Sequence, residues 1–224
     1  MKPLVAFDLD DTLYHEADYV RSALTEIACK ASQTGLVTFE NAINSLRHDF
    51  DSGCAFDNLE HTVDGKITAT EMLRVYREHF PSIRLNDDAR VTLSWLHNNG
   101  FPLALITDGR KSTQRNKISA LGIDRYFTPE NIIISEETGG DKTTPVPFKT
   151  IEAIHPGIPK VYIGDNLAKD FLWPNRMGWV TVCLRDRDGT NIFPQNFEST
   201  VLDYTPRHII DSLTELPEIL HNLI

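Results

Sequence analysis

The chain has 224 residues, of which 41 % are apolar and 24 % charged, and its formal net charge is −10. That length suits one large domain or a domain with a smaller insert, and the composition is that of an ordinary globular protein. The negative field excludes nucleic-acid polymers and anionic membrane surfaces as main partners. It still admits a small anionic substrate where a metal and a lysine reverse the local sign. No stretch approaches the roughly 18–20 apolar residues of a membrane span, and the opening MKPLVAFDLDD is too short in apolar residues for a secretory signal. The cytoplasm is therefore the expected compartment, and the oligomeric state stays open. Cys29, Cys54 and Cys183 are scattered without CxxC spacing, which reads as buried or incidental thiols.

In chain order, the first element is the apolar run Leu4–Phe7, read as a buried strand. A long stretch with helical periodicity follows, in Ala17–Ala31, Phe39–Phe50 and Ala69–His79. Thr38 and Thr68 are the expected N-caps, and Glu71 completes a capping box for the later helix. Residues 15–85 therefore read as a helical insert, and 1–14 with 86–224 as the main domain. Asp88–Asn98 returns to the sheet as a helix ended by Asn99-Gly100. Strand-like runs then recur at Pro102–Ile106, Asn131–Ile134, Lys160–Ile163 and Trp179–Leu184. Helical segments at Thr113–Leu121, Pro147–Ile154 and Leu167–Met177 separate them. This alternation predicts right-handed βαβ units, hence a doubly wound, parallel α/β sheet. Val201–Tyr204 is expected to be a short strand, with a last helix starting at Thr205-Pro206.

Ligands of open α/β sheets gather outside the carboxyl ends of the strands. Here those ends carry a consistent set of polar residues: Asp8, Asp10 and Asp11 after the first strand, Thr107-Asp108-Gly109 after the second, and Gly164-Asp165 after the fourth, with Asp170 beyond. The loop after the third contains Gly139, Gly140 and Lys142. Asp8, Asp10 and Asp165 could not all stay ionised in a partly desolvated cleft without a counter-ion. A hard divalent cation with oxygen ligands, Mg²⁺, is the simplest choice. Thr107 offers a hydroxyl, the Asp108-Gly109 turn offers backbone N–H groups to an anion, and Lys142 offers a point charge for a phosphate oxygen. Together they describe phosphoryl transfer.

The run Asp8-Leu9-Asp10-Asp11-Thr12 resembles the DxDx[TV] signature of the haloacid dehalogenase superfamily. Thr107, Lys142 in Glu137-x-Gly139-x-x-Lys142, and Gly164-Asp165-x-x-x-x-Asp170 follow in that family's order. The resemblance implies a Rossmann-like core with a C1-type helical cap after strand one, the cap closing over the site and selecting substrates. It also implies Asp8 as the nucleophile that forms an aspartyl-phosphate, and Asp10 as general acid and base. Thr107 and Lys142 would orient the phosphoryl group. Mg²⁺ would be held by Asp8, the Asp10 carbonyl and Asp165, with Asp170 acting through water or from behind. Three departures stand out: Thr143 where proline usually follows the lysine, Asp108 where asparagine is usual, and the bulky Phe171-Leu172-Trp173-Pro174 after Asp170.

The expected activity is thus a Mg²⁺-dependent phosphatase for a small phosphorylated metabolite. A dehalogenase would have no leaving alkoxide to protonate and would not need Asp10. A phosphomutase needs the same two aspartates and remains an alternative, as does a non-catalytic binder of phosphorylated ligands. A signalling receiver module would lack the large insert.

Overall fold

A computed structural model describes residues 1–198 and 200–223. It divides into two compact units, Met1–Ala17 with Arg84–Ile224, and Asp18–Ile83. The first unit is built on a six-stranded sheet of β1 (Leu4–Phe7), β2 (Leu103–Thr107), β3 (Ile132–Ile134), β4 (Lys160–Gly164), β5 (Val180–Leu184) and β6 (His208–Ile210). The order is β3-β2-β1-β4-β5-β6, and every pairing is parallel.

All four residues of β1 are fully buried, because β1 lies centrally between β2 and β4 and both of its faces are covered. Leu4 and Ala6 point into a cluster with Ala104, Ile106, Tyr162 and Trp179. Phe148 and Ile151 of the helix Val146–Ile154 close that cluster, and the Phe148 ring meets Tyr162 and Trp179 edge-on at 5.3 and 5.7 Å. The chain runs from β1 outward to β2 and β3, then crosses back to β4 on the other side of β1. The order in which the chain adds strands therefore reverses beside β1, and the crevice at its carboxyl end is where such sheets bind ligands.

In chain order the helices that concern function are α1 (Glu16–Ser32), α2 (Phe39–Asp49), α3 (Ala55–Thr62), α4 (Ala69–Glu78), α5 (Asp87–Asn98) and α6 (Lys111–Leu121). The unit Asp18–Ile83 has its own core of Leu24, Ile27, Ala31, Ala42, Leu46, Leu59 and Met72. Thr38 caps α2 by accepting the Asn41 N–H at 3.2 Å. Thr68 and Glu71 form the reciprocal capping box at the start of α4.

Two expectations at the carboxyl end are corrected. Val201–Tyr204 is not a strand: its last three residues form a single 3₁₀ turn, with Val201 and Leu202 exposed. The sixth strand is His208–Ile210, and the last helix begins at Leu216, not at Thr205. Pro206 starts no helix because the segment after it is drawn into the ladder with β5. Leu167–Met177 also shortens, to a helix over Leu172–Arg176 that holds Pro174 in its first turn, where a missing N–H costs least. Helix α3, which the sequence pattern did not suggest, buries only Ala55 and Leu59.

Candidate active site

The site is assembled from the ends of β1, β2 and β4 and the loops that follow. Asp8 extends the β1 ladder by one hydrogen bond, donating its N–H to Ile163 O at 2.8 Å, and is 5 % exposed. Lys142 reaches it from the loop after β3. The Lys142 ammonium, 1 % exposed, lies 2.8 Å from Asp8 Oδ1 and 2.7 Å from Asp170 Oδ1. Asp170 is wholly buried and uses both of its oxygens. Oδ1 also accepts from the Tyr162 hydroxyl at 3.3 Å, and Oδ2 accepts the N–H groups of Asp165 and Asn166 at 3.2 and 2.8 Å. Glycine is required at 164 for this approach, since a Cβ there would lie 2.5 Å from Asp170 Oδ2. Asp165 completes the group: one oxygen each of Asp8, Asp165 and Asp170 falls within 4.8 Å of the others.

One lysine is too little positive charge for three buried carboxylates. Burial, with the Asp170 carboxylate adding to it, pushes Asp8 up to about 7 against the pull of Lys142. Burial and the Asp170 and Asp8 carboxylates push Asp165 up to about 9. Lys142 itself is raised: burial works against its charge, but Asp170 and Asp8 outweigh it and hold the ammonium. The donor set therefore fits a hard divalent cation: oxygen ligands only, close together and short of positive charge. With both Asp170 oxygens already engaged, Asp8 and Asp165 are the carboxylates with capacity for direct ligation.

Asp10 sits in a different environment. Its Oδ1 accepts from the Tyr14 hydroxyl and pairs with the Lys117 ammonium at 2.7 Å, and its Oδ2 accepts from Gln114 Nε2 at 3.0 Å. Burial opposes its charge, but Lys117 and these hydrogen bonds prevail, and Asp10 is held below the usual carboxylate range. Gln114 also donates to Thr107 Oγ1 at 2.5 Å, so one side chain of α6 ties together the ends of β1 and β2. Glu16 lies 3.8 Å from Lys117, and burial with the Asp10 charge raises its carboxyl to about 7. Asp11 takes the left-handed conformation that Asp tolerates, with φ 53°. It accepts the N–H groups of Glu16 and Ile192 at 2.8 and 2.9 Å, which starts α1 and anchors the loop after β5.

The departures from the family pattern have local counterparts. Asp108 accepts the Lys142 N–H at 3.1 Å and pairs with Lys169 at 3.3 Å, so its charge is balanced by a cation from the next motif. Trp173 donates its indole N–H to Thr143 O at 2.7 Å, pinning the loop directly after Lys142, where the family usually has proline. The Gly109 N–H is bonded to Ser135 Oγ at 2.9 Å, so in this arrangement it is directed at the protein. A pocket of about 100 Å³ remains, lined by Asp8, Asp10, Asp11, Glu16, Asp108, Lys142, Asp165, Asn166, Lys169 and Phe193. Of the residues singled out from the sequence, Asp8, Asp10, Asp108, Lys142 and Asp165 line it, and Thr107 and Asp170 are buried outside that lining.

Residues 5–182 match the haloacid dehalogenase-like hydrolase family. The chain belongs to that family. As a haloacid dehalogenase-like hydrolase it has relatives along nearly its whole length. One is the glyceraldehyde 3-phosphate phosphatase of Methanopyrus kandleri, 30 % identical over 95 % of this chain and 97 % of the relative. The enzyme of the same name from Methanocaldococcus jannaschii is 30 % identical over 98 % and 97 %. Among solved structures, the haloacid dehalogenase-type phosphatase of Thermococcus onnurineus is 25 % identical, with a TM-score of 0.61 and 98 % of each chain covered. The chain is a phosphoric monoester hydrolase of this family.

Sequence reasoning passed over Tyr14, Gln114, Lys117, Lys169, Asn191 and Gln195. A signal existed for two of them. Gln114 and Lys117 precede Ile118 and Leu121 on the inward stripe of α6, all four are buried, and a polar residue on such a stripe needs a partner. Asn191 and Gln195 lie in a loop without periodicity, and nothing local marks them.

Proposed function

We propose that this hydrolase is a Mg²⁺-dependent phosphatase of a small phosphorylated sugar, with a triose phosphate the first candidate because two of the relatives named above are glyceraldehyde 3-phosphate phosphatases. The observation that carries the reading is the buried Lys142 shared by Asp8 and Asp170, with the Asp165 carboxylate beside them and too little positive charge for all three. Asp8 and Asp165, with the Asp10 carbonyl, would hold the metal, and Asp170 would support them by fixing Lys142 and the Asp165-Asn166 backbone. Bound magnesium would supply neutralisation of the phosphoryl oxygens.

In the first step an Asp8 carboxylate oxygen attacks phosphorus, the ester P–O bond breaks, and the leaving oxygen takes a proton from Asp10. In the second, water attacks phosphorus, the bond to Asp8 breaks, and Asp10 accepts the proton released. The arrangement around Lys117 favours the base form of Asp10, which serves the second step, so proton uptake at Asp10 must precede ester cleavage. Lys142 holds a phosphoryl oxygen, and Lys169 lies within the same pocket to offset the charge of Asp108. The unit Asp18–Ile83 is assigned the family's cap role, selection of the organic part of the substrate.

The test is release of inorganic phosphate from a panel of phosphomonoesters, with Mg²⁺ and with chelator, for wild type and Asp8→Asn. Turnover that needs the metal and falls at least ~10³-fold in Asp8→Asn supports the reading. Isomerised sugar phosphate in place of free phosphate would instead identify a phosphomutase.

A further inference from the structure

The loop after β5, residues 185–195, has no part in the chemistry above, yet it is fastened to the site at several points. Asp186 organises it: Oδ1 and Oδ2 accept the N–H groups of Thr190 and Asn191, each at 3.1 Å. Gln195 bridges its ends, with Oε1 accepting the Asp186 N–H at 2.9 Å and Nε2 donating to the carbonyls of Asp165 and Leu184, both at 2.8 Å. So braced, the loop brings the Asn191 amide to Asp165, with Nδ2 donating to Oδ2 at 2.8 Å. The other oxygen, Oδ1, accepts, among the described residues, a single long bond of 3.4 Å from Thr12. The Asn191 bond is thus the main constraint on rotation of a carboxylate that has capacity for a cation.

The geometry points to Asn191 as a positioning residue for the metal: it fixes one oxygen of Asp165 and leaves the weakly bonded Oδ1 to ligate, with Asp186 and Gln195 holding Asn191 and the Asp165 backbone in register. This inference rests on the Mg²⁺ reading above. Partners that orient a ligating carboxylate commonly govern affinity by an order of magnitude or more, because without them the ligand must be ordered when the ion binds.

The experiment is calorimetric titration of MgCl₂ into chelator-treated, substrate-free protein, with the melting temperature of the metal-free form measured alongside. Wild type, Asn191→Ala, Asn191→Leu and Asp186→Ala are compared. Asn191→Leu keeps the bulk and removes the donor, and Asp186→Ala loosens the brace without touching Asp165. The expected result is a Kd weakened by roughly 10-fold in both Asn191 variants, and weakened in the same direction in Asp186→Ala. A Kd equal to wild type in folded Asn191 variants, whatever their melting temperature, overturns the inference while the Mg²⁺ reading stands. Absence of Mg²⁺ binding to wild type overturns both. Should neither Asn191 variant fold, an unchanged Kd in Asp186→Ala overturns the inference in their place.

Discussion

Two carboxylates that stand two positions apart on the chain, Asp8 and Asp10, live under opposite electrostatic regimes. Asp8 belongs to the strand-end cluster, where burial and neighbouring carboxylates raise it in spite of Lys142. Asp10 has turned to the α6 side, where Lys117, Tyr14 and Gln114 outweigh burial and lower it. The difference teaches what each region is equipped for. The cluster of Asp8, Asp165 and Asp170 has Lys142 against three carboxylates and is short of positive charge, whereas Asp10 finds its counter-charge and hydrogen-bond donors on the α6 side.

That contrast can be broken most severely at Lys142. Lys142→Met leaves Asp8 and Asp170 buried without their cation, and chemical denaturation without metal is expected to show a loss of about 3–5 kcal/mol. Lys117→Met removes the corresponding cation from the α6 side. It should raise the Asp10 carboxyl and, because Asp10 must carry a proton before ester cleavage, move the alkaline limb of the kcat/KM profile to higher pH, which steady-state assays across pH would detect.

The pH dependence of stability sharpens the comparison further. Asp8 and Asp165 keep protons up to about 7 and about 9 in the folded protein, whereas in the unfolded chain they release them near 3.8. The folded state therefore binds more protons across that window, and metal-free stability falls as pH rises through it. Melting curves in chelator should show this fall, and saturating Mg²⁺ should flatten it.

The helical unit offers a smaller, separate effect. Thr68→Ala removes the capping box of α4 and should cost about 1 kcal/mol in denaturant titrations, with no change in Mg²⁺ affinity. The mildest change expected is Asp108→Asn, which keeps an acceptor for the Lys142 N–H and loses only the partly exposed pair with Lys169. Stability should shift by less than about 1 kcal/mol.

Much of this architecture was legible in the chain. The apolar runs at Leu4–Phe7 and Lys160–Ile163 read as strands because a parallel strand covered on both faces has no polar alternation to hide it. The charges after those runs read as a site because nothing structural calls for carboxylates at the end of a buried strand. His208–Ile210 escaped notice for the converse reason: it is three residues long, at a sheet edge, with His208 and Ile209 exposed, and it is a strand only because β5 lies beside it. Helix α3, with Ala55 and Leu59 alone buried, carries a similarly thin pattern.

The sequence by itself determined the parallel α/β core, the helical stretch after the first strand and the identity of the strand-end carboxylates, because periodicity and spacing are local properties of the chain. The tertiary structure alone decided what surrounds those carboxylates. Lys117 on Asp10 and Asn191 on Asp165 join residues far apart in sequence, and no local pattern records which distant side chain will satisfy a buried charge. Charge placement was local; charge compensation was not.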